Sequence, residues 1–184
     1  IDIIFRFARV EDAQAIAEVN NAAWKDDIEE WISAEEVIAR INNNPEGHIV
    51  AETTTAEGKR VLLSVIFSVT ITTEGEFEKN IPKTLADLTN NGTLLNRHNA
   101  SGDTRICFAV CVPDTTAVLG KRIKGISREL IFAERDIALR NGQRYFLTFS
   151  PADKQEFHER KGAKLVMRIP NGRRPGKDAV VMQY

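Results

Sequence analysis

A basic, glycine-containing turn, Arg122-Ile123-Lys124-Gly125-Ile126-Ser127, stands between an apolar run and a helical one. Backbone N–H groups, positive side chains and a helix start, in that order, make a cradle for phosphate. The run before it, Ile106 to Val112, reads as a strand; the run after it reads as a long helix to about Arg140. A second strand, Tyr145 to Ser150, carries Thr148, and a short helix beyond it ends in Phe157-His158-Glu159-Arg160-Lys161-Gly162-Ala163. Thr148 and His158 thus bring polar side chains to the end of the sheet where the turn lies, and the chemistry is expected there. A bland reading stands beside this one. On spacing alone His158 caps or solvates its helix, and Thr148 is a β-former. Arg122 and Lys124 at a helix start oppose the dipole unless an anion meets them.

The remaining elements form a mixed α/β order. Ile3 to Ala8 alternates as a first strand, and Glu11-Asp12 opens a helix with Ala13, Ile16, Ala17, Asn20 and Trp24 on one face. Trp24 ends that apolar face, which makes it a core residue or the wall of an acyl pocket. Ser33-Ala34-Glu35-Glu36 is a capping box for a helix through Asn42. His48 to Thr54 and Val61 to Thr72 form a hairpin around Glu57-Gly58, its second strand apolar enough to be central. Thr73 to Asp103 reads as a long polar loop with one short helix, Lys83 to Leu88, and a solvated His98; such loops often cover sites. Ile126, Leu130, Ala133 and Ile137 give the long helix a core stripe, stopped at Asn141-Gly142. Pro151 breaks the second strand and Asp153 caps the short helix. The last strands, Lys164 to Ile169 and Ala179 to Tyr184, flank a basic turn, Gly172-Arg173-Arg174-Pro175-Gly176, whose arginines are expected in solvent. Helices are expected on both faces of a twisted sheet.

Bulk properties narrow the function classes. At 184 residues the chain fits one domain with a substantial core. A net charge of −1 argues against nucleic acid or an anionic membrane as partner. Cys107 and Cys111 share a strand face but lie too far apart for a disulfide, as expected of reduced core thiols in a cytoplasmic protein. No apolar run reaches spanning length, and no His/Cys/Asp cluster has metal-ligand spacing. The chain opens on Ile1 without an initiator Met, as expected of a domain excised from a larger protein.

The order of elements resembles the GNAT superfamily of acyl-CoA-dependent acyltransferases. Arg122-Ile123-Lys124-Gly125-Ile126-Ser127, followed by Leu130-Ile131, is similar to that family's Arg/Gln-x-x-Gly-x-Gly/Ala signature. Arg9-Val10-Glu11-Asp12-Ala13 resembles its first strand-to-helix entry, and Phe157 to Ala163 its aromatic–Tyr–Glu–Lys–x–Gly–Phe box, with His158 in the tyrosine's place. The resemblance implies a single GNAT domain over 1–184 with an insertion at about 73–103. Its mixed central sheet would splay near an acyl-CoA site, with helices on both faces. Val110 and Val112 would offer backbone N–H to the thioester, and Arg122, Lys124, Gly125, Ile126 and Ser127 would hold the CoA phosphates.

His158 and the run Arg173-Arg174-Pro175 … Val180-Val181-Met182-Gln183-Tyr184 are similar to the GNAT-like domains of polyketide synthase loading modules. That branch implies decarboxylation of a malonyl-type thioester and loading of an acyl-carrier protein, with neighbouring synthase domains as partners. It implies His158 and Thr148 as catalytic pair, and Trp24 and Arg173 or Arg174 as substrate-binding residues. Loss of CO2 leaves an enolate whose oxygen needs donors, and one such donor is worth about 3–4 kcal/mol. The His158 imidazole and the Thr148 hydroxyl would be those donors. Trp24, Cys107 and Phe108 would wall the leaving carboxylate, and His158 would return a proton. The resemblance implies an acyl-CoA or phosphopantetheine thioester as substrate and no metal. Two other readings stay open. One is an N-acyltransferase using acetyl-CoA on a small amine or a protein, with His158 as acid. The other is an inactive pseudo-GNAT structural module, suggested by Ile123 and Ser127 where glycine is usual.

Overall fold

The computed structural model describes residues 1–184. Seven strands form one open mixed sheet in the order β1-β2-β3-β4-β5-β7-β6. They are β1 Ile4–Phe7, β2 His48–Thr54, β3 Arg60–Ile71, β4 Thr104–Cys111, β5 Tyr145–Pro151, β6 Lys164–Arg174 and β7 Lys177–Gln183. The β4–β5 pair is parallel; β1–β2, β2–β3, β5–β7 and β6–β7 are antiparallel. The helices are α1 Ala13–Ala23, α2 Ala34–Asn43, α3 Phe77–Asn80, α4 Leu85–Thr89, α5 Thr116–Leu119, α6 Ile126–Arg140 and α7 Gln155–Glu159. No helix is long and apolar enough to cross a membrane. The chain divides into two compact units, Ile1–Phe67 with Val110–Ala133, and Ser68–Ala109 with Glu134–Tyr184.

In the first unit, α1 buries Ala13, Ile16, Ala17 and Asn20, the face that its spacing predicts. The Ser33 hydroxyl accepts the Glu36 N–H at 3.2 Å and starts α2 as the capping box requires. Edge strand β1 is fixed by charge as well as by its ladder. Arg6 donates to both Asp12 oxygens, at 2.7 and 3.0 Å, and to Glu52 at 2.7 Å. That bond to Arg6 holds the Glu52 carboxyl below its usual range despite burial.

The second unit differs from expectation in three places. Residues 73–103 hold the expected short helix, as α4, but carry more structure than a polar loop. They form α3 and α4, and they sink Ile81, Leu88 and Leu94 fully into the core. His98 is half-buried rather than solvated, and its Nδ1 accepts the Thr70 N–H at 3.2 Å. The segment begins and ends on Asp103, whose carboxylate accepts the N–H groups of Thr73 (2.8 Å) and Glu74 (2.9 Å) and the Thr104 hydroxyl (2.8 Å). The Asp103 carbonyl accepts the N–H groups of Arg144 and Tyr145, which ties the segment to β5.

The second difference is the expected basic turn at 172–176. β6 runs on through Arg174, so only Pro175-Gly176 turns. A register shift between Ile169 and Arg174 absorbs the extra residues, with Asn171 in the left-handed region at φ 55. A Cβ on Gly172 would lie 2.7 Å from that of Ala179, so the bulge requires glycine there. The third difference is local. Pro151 ends β5 rather than following it, and Asp153 lies inside a short 3-10 turn, Ala152–Lys154, instead of capping α7.

The stripe of α6 is rotated by about one position from the expected one. Ile126, Leu130, Ile131, Glu134 and Ala138 are buried, while Ala133 and Ile137 lie at its margin. Glu134 is thus a fully buried carboxylate, and in the second unit it accepts from the Nε of the equally buried Arg105. Burial pushes its carboxyl well up, against the pull of Arg105 and of the Ser68 hydroxyl.

Candidate active site

The ladder between β4 and β5 is in register from Thr104↔Tyr145 to Cys107↔Thr148 and ends there. Past that pair, within the second unit, Phe108 and Phe149 are no longer paired with each other, so the ladder opens there. Backbone groups released by such an opening need new partners. Arg173 provides them. Its Nη1 donates to the Phe108 carbonyl at 2.8 Å and to the Phe149 carbonyl at 3.2 Å, the residues just past the last pair. Arg173 is 5% exposed, so the sequence expectation of a solvated arginine is corrected: its charge lies inside the strand fork. Arg174, beside it, is half-buried at the end of β6. Replacing Arg173 with Met should remove one charged donor from two buried carbonyls and cost about 2–3 kcal/mol of stability, read by urea unfolding. An unchanged midpoint would show that the carbonyls have other donors.

Three hydroxyls and an imidazole gather by this fork. Thr148 and Ser150 are two apart in β5 and share a face. Thr148 is fully buried, and its Oγ1 has no hydrogen-bond partner. Such an orphan costs about 1–3 kcal/mol unless something fills it. His158 is 2% exposed. Its Nε2 lies 2.8 Å from the Ser150 hydroxyl and its Nδ1 2.6 Å from the Tyr184 hydroxyl. Helix α7 places the ring there, and the left-handed turn at Gly162, φ 92, stops the helix and sends the chain back into β6. Burial, with Lys161 and Lys154 adding repulsion, lowers the His158 pKa to about 4. The ring is therefore neutral at pH 7, with one nitrogen donating and the other accepting. Burial and the nearby Cys107 push the Tyr184 phenol up, so it too stays protonated. No hydrogen bond joins His158 to Thr148; the imidazole's partners are Ser150 and Tyr184.

The other site residues proposed from the sequence lie in the first unit. Trp24 is half-buried at the C-terminus of α1, where its carbonyl accepts the Trp31 indole N–H at 2.9 Å. Val110 and Val112 are half-buried at the end of β4 and just past it. Arg122, Lys124 and Gly125 are exposed, Ser127 is half-buried and Ile126 is in the core. Gly125 adopts φ 88 with nothing within 4 Å of where its Cβ would stand, so backbone is bare at the start of the fifteen-residue α6. The first amides of a helix have no intrahelical partner. The Ile123 amide is already used: it donates to the Thr115 hydroxyl at 2.9 Å, which itself donates to the Lys121 carbonyl at 2.8 Å. An anion here would meet the helix start rather than the whole turn.

Ser150 and Tyr184 escaped the sequence reading. They lie 8 and 26 residues from His158, and no motif links such spacings. A partial signal existed: Ser150 follows Thr148 at strand period, so one hydroxyl at a site implied a second.

No family model and no curated protein sequence matches the chain. Solved structures do resemble it. The loading GNATL domain of CurA from Lyngbya majuscula superposes with a TM-score of 0.72 at 16% identity, covering 100% of this chain and 98% of that one. The GphF GNAT-like decarboxylase, in complex with isobutyryl-CoA, gives 0.66 at 15% identity over 98% of each chain. The PaiA N-acetyltransferase from Thermoplasma acidophilum, in complex with coenzyme A, gives 0.62 at 13% identity over 100% of each. At these identities the likeness is one of architecture, and with the strand order and the opening of the β4–β5 ladder it leads to one statement: the chain has the GNAT fold.

Proposed function

We propose that this chain is a thioester-processing GNAT-like domain acting in the cytoplasm. It decarboxylates a malonyl- or methylmalonyl-type thioester, passes the acyl group to the phosphopantetheine of an acyl-carrier protein, or does both, in polyketide chain initiation. The observation that carries this reading is the neutral His158 held between two hydroxyls in the same buried face as the unpartnered hydroxyl of Thr148. A decarboxylase needs a dry donor for the enolate oxygen and a proton source beside it. Thr148 has a free donor in a fully buried place, and His158 has a proton partner on each nitrogen. In the reaction the bond to the carboxylate breaks, CO2 leaves, and the electron pair moves into the thioester enolate. Protonation at carbon completes it. Resemblance to a loading domain and to a GNAT-like decarboxylase supports the same reading.

Two alternatives have an observation each. Resemblance to an N-acetyltransferase favours acetyl-CoA and an amine acceptor. The Ile123 amide, withdrawn into the Thr115 bond, favours a structural module without CoA binding. Incubation with malonyl- or methylmalonyl-loaded carrier protein, followed by intact mass, separates the three. Loss of CO2 from the loaded arm, absent in Thr148→Val, is expected. Acetyl-CoA consumption that requires an amine would replace this reading with the second, and no turnover together with no CoA binding would replace it with the third.

A further inference from the structure

We propose that Ser150 hands the proton to the reacting acyl group and that Tyr184 replenishes it through His158, so that the three side chains work as one proton relay. This deepens the thioester-processing reading and rests on it. Hydroxyls both donate and accept, whereas a neutral imidazole donates from one nitrogen and accepts at the other. With a hydroxyl at 2.8 Å on Nε2 and another at 2.6 Å on Nδ1, the ring can pass protons in one direction by exchanging tautomers.

The proton count closes. The Ser150 O–H protonates the enolate carbon or the departing thiolate. Nε2–H restores the Ser150 hydroxyl, and the Tyr184 O–H restores the ring at Nδ1. Water protonates the Tyr184 oxygen in the same concerted shift, so no phenolate is stored. The ring, left with its proton on Nδ1, returns to the Nε2–H form when the same bonds shift in reverse with water at Ser150 as donor.

Exposure sets the order of the chain. Thr148 is 0% and His158 2% exposed, whereas Ser150 is 9%, so the serine is the member at the β5 end most open to an acyl group. Tyr184 is half-exposed, and it is the member through which water can enter. Its ring packs on Phe146 at 5.8 Å and edge-on to His158 at 5.9 Å, which keeps its hydroxyl aimed at Nδ1. The groups facing the ring make a stored charge costly: Lys154 and Lys161 repel an imidazolium, and Cys107 lies near the phenol. At neutral pH the ring holds no spare proton, and a relay supplies what an imidazolium would otherwise give.

A purely structural role would also explain the two hydrogen bonds, and the test separates the two. Ser150→Ala and Tyr184→Phe are each expected to lower kcat by about 10- to 100-fold with KM unchanged, and Ser150→Thr, which keeps the hydroxyl, to restore most of it. The wild type should show a solvent deuterium effect on kcat that Tyr184→Phe diminishes. The 15N shifts of the His158 ring should report mixed tautomers in the wild type and one tautomer in Tyr184→Phe, a readout that needs no turnover. Wild-type kcat in Ser150→Ala overturns the relay, as does an acyl group found covalently on Ser150, which would make the serine a nucleophile. A single wild-type tautomer, unmoved by Tyr184→Phe, overturns it as well. Full activity in His158→Gln overturns the relay and the imidazole's part in the chemistry, whereas a wild type that neither turns over a carrier-bound malonyl thioester nor binds CoA overturns the thioester-processing reading itself. An inactive His158→Gln beside an active Ser150→Ala overturns the relay alone.

Discussion

His158→Ala should lower the decarboxylation rate by about 10²- to 10⁴-fold, the span that a positioned acid or base contributes. The substitution removes the one ring that touches both hydroxyls, so neither can replace it. Substrate affinity should hold, because the ring is buried beside the reacting groups and offers little surface to bind an acyl chain. A rate within threefold of wild type on the carrier-bound substrate would remove His158 from the chemistry.

The same variant should also change acid stability. The folded ring has its pKa lowered to about 4, and the unfolded one sits near about 6.5. The folded state therefore binds fewer protons between those values. The stability held by the neutral ring is complete above about pH 6.5 and is lost as pH falls toward the folded value, with a total near 3 kcal/mol. Urea midpoints measured from pH 7 to pH 4 should fall steeply in the wild type and less so in His158→Ala. Parallel profiles would mean that the buried ring does not titrate as its surroundings require.

Arg105→Met is expected to destabilise the second unit by about 3–5 kcal/mol, because it leaves the Glu134 carboxylate buried without its counter-charge. That is a large share of a typical domain stability of about 5–15 kcal/mol. The double variant Arg105→Met/Glu134→Leu should regain most of the loss, since two apolar side chains of similar volume can fill the space with no charge to desolvate. Denaturant unfolding of the single and double variants reads the difference. If the double variant is no more stable than the single one, the cost lies in packing around Arg105 and not in the ion pair.

Regular elements were legible in the sequence because their apolar periods are strong. β2, β3 and α2 lie within a residue or so of the expected bounds, and α6 begins and ends where its stripe and Asn141-Gly142 put it. The buried ion pair was not legible: the expected stripe, Ile126, Leu130, Ala133 and Ile137, passes beside Glu134, and only the rotation of that stripe brings the carboxylate into the core, where Arg105 meets it. Arg173 was misread because Asn171, Gly172, Pro175 and Gly176 imitate an ordinary turn, whereas the first pair forms a bulge that keeps the strand going. In residues 73–103 the short helix α4 was legible, but α3 and the depth of burial were not, because Asn and Thr dominate the composition. Those polar groups bond within the segment, at Thr84, Thr89 and Asn90, while Ile81, Leu88 and Leu94 anchor it in the core and Phe77 packs edge-on to Tyr145. The His158 cluster was legible as a place but not as a set of contacts, since its members meet through pairing of β5 with β7 rather than through any local spacing.

The bonds that Asp103 makes to both mouths of the 73–103 excursion draw it shut like a purse-string. A loop closed at its base adds little entropy cost when lengthened, about 0.6 kcal/mol for each doubling. Past the tie, 75–102 can vary in length only between its anchors: Ile81, Leu88 and Leu94 stay in the core, and His98 and Asn99 stay bonded to Thr70 of β3, so insertions would be borne by the stretches between them.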